Sequence, residues 1–290
     1  TIPAGEIIKL NLGNIYAYGT LKAIGTAQNP IVFTSFKDDS YGGDLNADGM
    51  VSAPAAGDWY TVTLYGYLDY VGIGEIDHCL FRYGGNYYNG EYANVYFYGN
   101  SYGYFKNSTV EHSYYSGLNV SSASNLTLNN IVIDHTNYYG MQMSSSAIDV
   151  TNFDISNSGL DGIYMIGCTT NITGASVSGS NSHGMRLVSG TYDVDNCEFN
   201  NNNGWAARFE GATLRDYSMN SGSGNTWEAF SISGEVSSNL TMSEANYGFP
   251  IVLEGNLTVN NNYTLTIPAG EIIKLNLGNI YAYGTLKAIG

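Results

Sequence analysis

Basic residues are scarce in this chain, and long apolar runs are absent. Ten Lys and Arg stand against 25 Asp and Glu, which gives a formal net charge of −15 at pH 7. Nucleic acids and anionic membrane surfaces are bound by basic patches, so we predict neither as a partner. No apolar run approaches the roughly 20 residues that cross a membrane, and we predict no membrane span. The acidic balance is compatible with cation binding.

Cysteine is also rare, and its spacing fits no metal site. Cys79, Cys168 and Cys197 are odd in number, which excludes a fully paired disulfide set. Free Cys in an apolar position behaves as a small hydrophobic residue, and we predict that all three are buried packing residues. A single Cys168–Cys197 bridge between neighbouring turns of the chain is the alternative.

Gly and Asn, in contrast, are frequent and regularly spaced. Gly117, Gly140, Gly162, Gly184 and Gly204 are 23, 22, 22 and 20 residues apart. The triplets "LNV", "MQM", "IYM" and "MRL" follow the first four of these glycines, and similar triplets continue on both sides. Apolar residues recur at every second position instead of every three to four, which predicts short strands and almost no helix.

Three short strands in about 22 residues, repeated, are typical of one coil of a parallel β-helix. The predicted fold is therefore all-β, a parallel β-helix of such coils with one Asp- and Gly-rich insertion loop. Stacking buries the alternating apolar side chains of each coil against its neighbours. The predicted core residues are Leu118, Val120, Ile133, Met141, Met143, Ile155, Ile163, Met165, Val177, Met185, Leu187 and Phe199.

The first 25 residues, "TIPAGEIIKLNLGNIYAYGTLKAIG", recur without a change at residues 266–290. Residues 1–290 are thus a single predicted β-helix, made of one 265-residue period and a 25-residue overlap. The end of a β-helix exposes unpaired strand edges that need a cap. We predict that adjacent identical modules cap each other end to end, covalently or by stacking, in an extracellular filament. About 11 coils of about 4.8 Å give an axial repeat of about 50 Å.

The module's opening words also carry a resemblance. "EGNLTVNNNYTLTIPAGEIIKLNLGNIYAYGTLKAIG" stands at the end of the chain and resumes as "GTAQNPIVFTS" at residues 25–35. Together with the coils, this phrase resembles the bacterial and archaeal right-handed parallel β-helix repeat proteins of cell surfaces. The resemblance implies a right-handed, pectate-lyase-like fold and an extracellular or cell-surface location. It does not imply one particular activity.

An insertion at residues 37–58 interrupts the coil period with acidic residues and glycines. "DLNADG" is D-x-N-x-D-G, the front half of an EF-hand loop, in which alternate oxygen side chains converge on one hard cation. The twelfth position of such a loop is Ala55 and not a bidentate Glu, so further ligands must come from nearby. We predict a Ca²⁺ site, and the alternative is a solvated acidic turn. The predicted ligands are Asp44, Asn46, Asp48, Asp38, Asp39 and Asp58.

Right-handed β-helices include polysaccharide lyases and glycoside hydrolases, so an enzyme is the main alternative function. "EIDH", "TVEH" and "NIVIDH" are predicted to place His78, His112 and His135 at equivalent strand ends, with Asn157 in the same position of a later coil. A residue that recurs by register is explained by stacking. This favours a turn ladder over a catalytic His or a zinc site, whose ligands must converge.

Arg186 and Arg208 occupy outward strand positions, where we expect solvated side chains, and we predict no catalytic residue. Sixteen of the 26 Tyr lie between Tyr60 and Tyr139, too many for the interior, so some must face outward in stacked ladders. Three functions remain open. The identical ends favour a structural or adhesive rod, and a groove lined by Arg, Asp and His from adjacent coils would favour an enzyme. An exposed Tyr platform would favour a non-catalytic module that binds surface glycans.

Overall fold

A computed structural model describes residues 1–49, 51–215 and 217–290 as a parallel β-solenoid. About 12 turns of about 23 residues each follow one another, consistent with the right-handed parallel β-helix that we predict. Helix is almost absent: α1 (Glu244–Tyr247) is a single turn between an N-cap, Ser243, and a left-handed C-cap, Gly248. Among the described residues, no helix is long and apolar enough to span a membrane.

Most strands are short, and a few bend around a corner of the solenoid. In chain order they are β1 (Ile7–Leu10), β2 (Ile15–Ala17), β3 (Thr20–Ile24), β4 (Ile31–Ser35), β5 (Val62–Gly66), β6 (Ile73–Asp77), β7 (Cys79–Arg82), β8 (Ala93–Gly99), β9 (Tyr102–Ser113), β10 (Ser116–Ser121), β11 (Asn125–Thr136), β12 (Met141–Ser144), β13 (Val150–Ser158), β14 (Ile163–Thr173), β15 (Ser176–Ser178), β16 (Met185–Asp195), β17 (Glu198–Asn200), β18 (Trp205–Leu214), β19 (Ser221–Ser223), β20 (Trp227–Val236), β21 (Leu240–Thr241), β22 (Ile251–Val259), β23 (Thr264–Ile267), β24 (Ile273–Leu275), β25 (Ile280–Ala282) and β26 (Thr285–Ala288).

These strands stack into three parallel sheets, and each turn of the chain visits all three. The first sheet runs from β2 through β5, β8, β10 and β12 to the first parts of β14, β16, β18, β20 and β22, and ends at β24. The second sheet begins with β3, β6 and the first part of β9, and ends at β25. The third begins with β1, β4 and β7, and ends at β19. In the last turns β21, β23 and β26 form a small separate sheet.

Residues with positive φ turn the chain from the second sheet into the third. In successive coils they have φ between 49° and 67°. Asn is common among them because its short polar side chain tolerates the left-handed conformation. The Asn130 amide donates to Asn107 across the stack at 2.8 Å, so the corner also carries an amide ladder. These corner residues are His78, Asn107, Asn130, Asn152, Gly174, Asn196 and Met219.

The core is a continuous apolar column inside the three sheets, and every core residue that we predict is buried, which confirms the strand periodicity. Cys79, Cys168 and Cys197 are buried and free, as predicted for packing residues. Two buried amides are paired inside the column. The Asn202 amide donates to Asn225 at 2.8 Å, and Asn225 in turn donates to a backbone carbonyl at 2.8 Å.

Candidate functional sites

The insertion lies between β4 and β5, and it gathers three of the predicted calcium ligands. Carboxylate oxygens of Asp39, Asp44 and Asp48 all lie within 4.8 Å of one another. Gly42 and Gly49 have φ of 70° and 73°, a conformation that allows the tight turns around them. The loop therefore forms the convergent oxygen cluster that a hard cation prefers.

Hydrogen bonds hold this acidic loop in shape without using all of its oxygens. Asp44 accepts from the backbone N–H groups of Asp48 and Gly49, at 3.2 and 2.8 Å, and the Asn46 amide donates to Asp48 at 2.9 Å. One side-chain oxygen each of Asp39, Asn46 and Asp48 is buried and has no hydrogen-bond partner. Buried acceptors without donors are costly, and a bound cation would satisfy them.

The remaining two predicted ligands, Asp38 and Asp58, lie outside this cluster. Asp38 is buried and accepts hydrogen bonds from the hydroxyls of Thr34 and Ser40. Asp58 accepts from the Lys37 ammonium at 2.8 Å and from the backbone. Both carboxylates tie the ends of the insertion to the solenoid, while the cluster itself consists of Asp39, Asp44 and Asp48 with Asn46 beside them.

A second site candidate is the corner ladder that ends the strands of the third sheet. Tyr83, His112, His135 and Asn157 occupy equivalent positions of successive coils, and all have φ between 52° and 66°. The predicted equivalence of His112, His135 and Asn157 is confirmed. The placement of His78 with them was wrong, because its neighbour Asp77 pairs with Lys106, which puts His78 at the opposite corner of the third sheet.

The rings of this ladder stack along the solenoid axis. Ring centroids are 5.1 Å apart between Tyr83 and His112, and 5.2 Å apart between His112 and His135. The His135 Nδ1 lies 2.6 Å from a carboxylate oxygen of Asp134. The four ladder residues line a groove of about 890 Å³, and residues 54–56 of the insertion form its other wall. Stacked rings at coil spacing form a line, which supports a turn ladder more than a metal site.

A third candidate is a charged cluster on the first sheet, built by Asp161, His183, Arg186, Arg208 and Glu210 from successive coils. Both nitrogens of the Arg186 fork bind Glu210, at 2.9 and 3.2 Å, and the Arg208 Nε lies 2.9 Å from the same carboxylate. The two Arg are therefore ion-paired, although both face outward as predicted. Sequence periodicity places Arg186 and Arg208 in one row, but it does not reveal their shared partner.

Burial and charge shift the titration of this charged cluster. Burial alone would raise the pKa of Glu210, but the hydrogen bond and charge of Arg186 and the charge of Arg208 outweigh it, and the pKa is lowered. Burial lowers the pKa of His183, against the attraction of Asp161. The buried Asp161 accepts from the His183 backbone N–H at 3.0 Å, while the His183 Nδ1 accepts from the Trp205 backbone.

The outward-facing tyrosines predicted from the sequence are also present. Tyr67 is half exposed, and its ring packs near those of Tyr65 and Tyr98, at centroid distances of 6.4 and 6.2 Å. Tyr139 and Tyr164 stack at 4.7 Å on neighbouring coils. These pairs confirm the expected ladders, and they concentrate in the first half of the chain.

Comparisons with known proteins find weak similarity to solved structures. No family model matches the sequence, and the comparison with curated proteins gives no match. The Dettilon tailspike protein is 13% identical over 96% of this chain and 61% of its own, with a TM-score of 0.47. An alginate lyase from Paenibacillus is 15% identical over 98% and 93%, with a TM-score of 0.31. An alpha-1,3-glucanase from Streptomyces thermodiastaticus is 11% identical over 99% and 62%, with a TM-score of 0.41.

This chain spans about three fifths of the length of the tailspike and glucanase chains. Likeness at these scores carries no conclusion about activity.

Proposed function

We propose that this chain is a structural module of a solenoid rod, in which copies stack end to end on the outside of the cell. The observation that carries the proposal is the repeated 25-residue coil. At residues 1–25 the inward side chains of β3 are covered by the next turn, with Leu21 9% exposed and Ala23 fully buried. At residues 266–290 the identical Leu286 and Ala288 are exposed, Leu286 by 43%.

The structure of the first coil indicates what would cover the last one. β1, β2 and β3 pair with β4, β5 and β6 on the following turn. β24, β25 and β26 lie at the corresponding places of the identical segment, and each pairs with the turn before it. Unpaired strand edges over an open core favour addition of another strand. We therefore assign to this surface a coil with the sequence of β4, β5 and β6 from the next copy.

The register of the repeat also sets the geometry of the rod. Ile15 and Ile273 lie in the same stack of the first sheet, ten turns apart. The residue identical to Ile15 is Ile280, which lies one face further on, against Leu257 of the second sheet. One module thus comprises ten full turns and about one third of a further turn. It would advance the rod by about 50 Å and rotate it by about 120°.

We further propose that the acidic loop binds Ca²⁺ through Asp39, Asp44 and Asp48, with the Asn46 oxygen nearby. The support is the convergence of these carboxylates and their unpartnered oxygens. A loop without the bidentate Glu is expected to bind weakly, in the range of about 10⁻⁴ to 10⁻³ M that is typical of extracellular modules. Such a site would be filled only where calcium is abundant, as outside the cell.

Electron microscopy of two chain lengths tests the rod. Residues 1–290 are compared with a chain that continues for one further 265-residue period. We expect the rod to lengthen by about 50 Å without a change in width, because the added turns continue the same stack. Two separate particles joined by a thin connection would contradict the proposal.

An enzyme that cleaves polysaccharides is the second candidate, and the charged cluster on the first sheet favours it. Asp161, His183, Arg186 and Arg208 come from adjacent coils, the pattern that we expect of such a groove. However, Glu210 neutralises both Arg, so we expect no turnover of uronate polymers or neutral glycans. Formation of new reducing ends by the purified protein, lost in Glu210→Gln, would instead establish the enzyme.

A further inference from the structure

An aromatic pocket of about 600 Å³ opens on the first turns of the solenoid. Its walls include five tyrosines from three turns. The Tyr16 and Tyr18 rings stack at 17°, and the Tyr65 and Tyr70 rings are inclined to Tyr18. The Tyr18 ring lies 4.9 Å from Tyr70 at 54° and 5.3 Å from Tyr65 at 63°. Inclined rings enclose a volume, whereas coplanar rings would form a platform. The lining residues that matter here are Tyr16, Tyr18, Tyr65, Tyr70, Tyr88 and Glu91.

Glu91 lies in the wall of this pocket without a cationic partner among the described residues. Its side chain belongs to a residue that is only 6% exposed, and it accepts a hydrogen bond from the Tyr16 hydroxyl at 2.6 Å. Throughout the described part of the chain, no Lys, Arg or His nitrogen lies within 4.0 Å of this carboxylate. Burial raises the pKa of Glu91, although hydrogen bonds from Tyr16 and Thr63 oppose the shift. A buried carboxylate without a cationic partner is costly, and a cation in the pocket would relieve that cost.

We propose that this pocket binds an organic ammonium cation, with the charged group between the tyrosine rings and against Glu91. Ring faces attract cations, and aromatic cages are suited to alkylated ammonium groups. The Glu91 carboxylate favours a cation over a neutral sugar, because only a cation can neutralise its charge. The excess of acidic residues over the whole chain raises the local concentration of cations.

One wall of the same pocket recurs in the last coil. Asn279, Tyr281 and Tyr283 repeat the residues that stand at 14, 16 and 18, and the two Tyr are 45% and 69% exposed. In the rod, the next copy would supply the other wall and complete one pocket at each junction. This extension rests on the proposed rod, whereas the pocket in the first turns does not.

Isothermal titration calorimetry of chain 1–290 with tetramethylammonium chloride, at constant ionic strength, tests the pocket. We expect one site per chain, and the neutral isostere neopentyl alcohol should bind at least about tenfold more weakly. Glu91→Gln keeps an acceptor for Tyr16 but removes the charge, so it should weaken tetramethylammonium binding by about tenfold or more. Glu198→Gln, an exposed carboxylate on the third sheet, is the matched control and should leave binding unchanged.

A second variant tests the pocket even if Glu91→Gln does not fold. Tyr70 is 51% exposed and packs on Tyr18, so Tyr70→Leu should preserve the fold while it weakens binding of the cation. Urea unfolding of each variant establishes that it is folded. Equal binding of the cation by the parent, Glu91→Gln and Tyr70→Leu would overturn the proposal, and so would equal binding of the alcohol or binding of a neutral sugar alone. None of these outcomes depends on whether the rod assembles.

Discussion

Leu21 and Leu286 are the same residue of the repeated coil in two environments, and truncation of each tests the stacking argument. Leu21 is 9% exposed beneath the next turn, and Leu286 is 43% exposed. Leu→Ala in a core costs about 2–5 kcal/mol, so we expect Leu21→Ala to lower the free energy of unfolding by about 2–3 kcal/mol. The Leu286 side chain is already partly in contact with water, so its truncation removes less buried apolar surface. We expect Leu286→Ala to lower the free energy of unfolding by less than about 1 kcal/mol. Urea unfolding of chain 1–290 measures both.

The same pair is then measured in a chain that continues for one further period. There Leu286 should be covered by the added turn, and its truncation should cost as much as that of Leu21. Leu21→Ala in the longer chain is the internal control, since its surroundings do not change. If Leu286→Ala remained as mild in the longer chain as in the shorter one, the added coil would not stack on the last one, and the reasoning would be refuted.

Three further predictions concern the loop, the core and the charged cluster. Asp44→Ala combined with Asp48→Ala should abolish the calcium uptake that calorimetry detects in the parent, and negligible uptake by both would exclude the site. Asn202→Ala should lower the free energy of unfolding by about 1–3 kcal/mol, because it leaves the buried Ser180 N–H without its side-chain acceptor; an unchanged urea midpoint would contradict this. Because the folded pKa of Glu210 is lowered, its contribution is present above the usual Glu range and is lost as pH falls through the folded pKa. Glu210→Gln should therefore flatten this part of the stability–pH profile, and an unaltered acid limb would rule the effect out.

The fold was predictable because stacking imposes one rule on every coil. Alternation of apolar residues specifies the inward positions, and a fixed period brings them into register. Met143 of β12 and Ile155 of β13 are buried for this reason. The corner at which a residue lies is harder to predict from sequence, since both ends of a third-sheet strand require a left-handed residue. "IDH" therefore precedes that strand at His78 and ends it at His135, and the letters alone do not distinguish the two.

The sites were only partly predictable, because their side chains meet through the loop fold or across coils. D-x-N-x-D correctly singled out Asp44 and Asp48 as neighbours, but the same composition rule also included Asp38, which the solenoid surface uses as an anchor. Glu91 and Tyr16 are 75 residues apart, separated by the insertion and by turns of unequal length. No local pattern connects such residues, so the aromatic pocket emerges only from the stacked structure.

Cryo-electron microscopy of the native particle tests the central claim most directly. Helical reconstruction should give a continuous β-solenoid with an axial repeat of about 50 Å and a rotation of about one third of a turn per module. Each junction should contain the coil of residues 266–290 with strands paired on both of its edges. A discrete particle in which an amphipathic helix or a loop covers both end coils would contradict the rod.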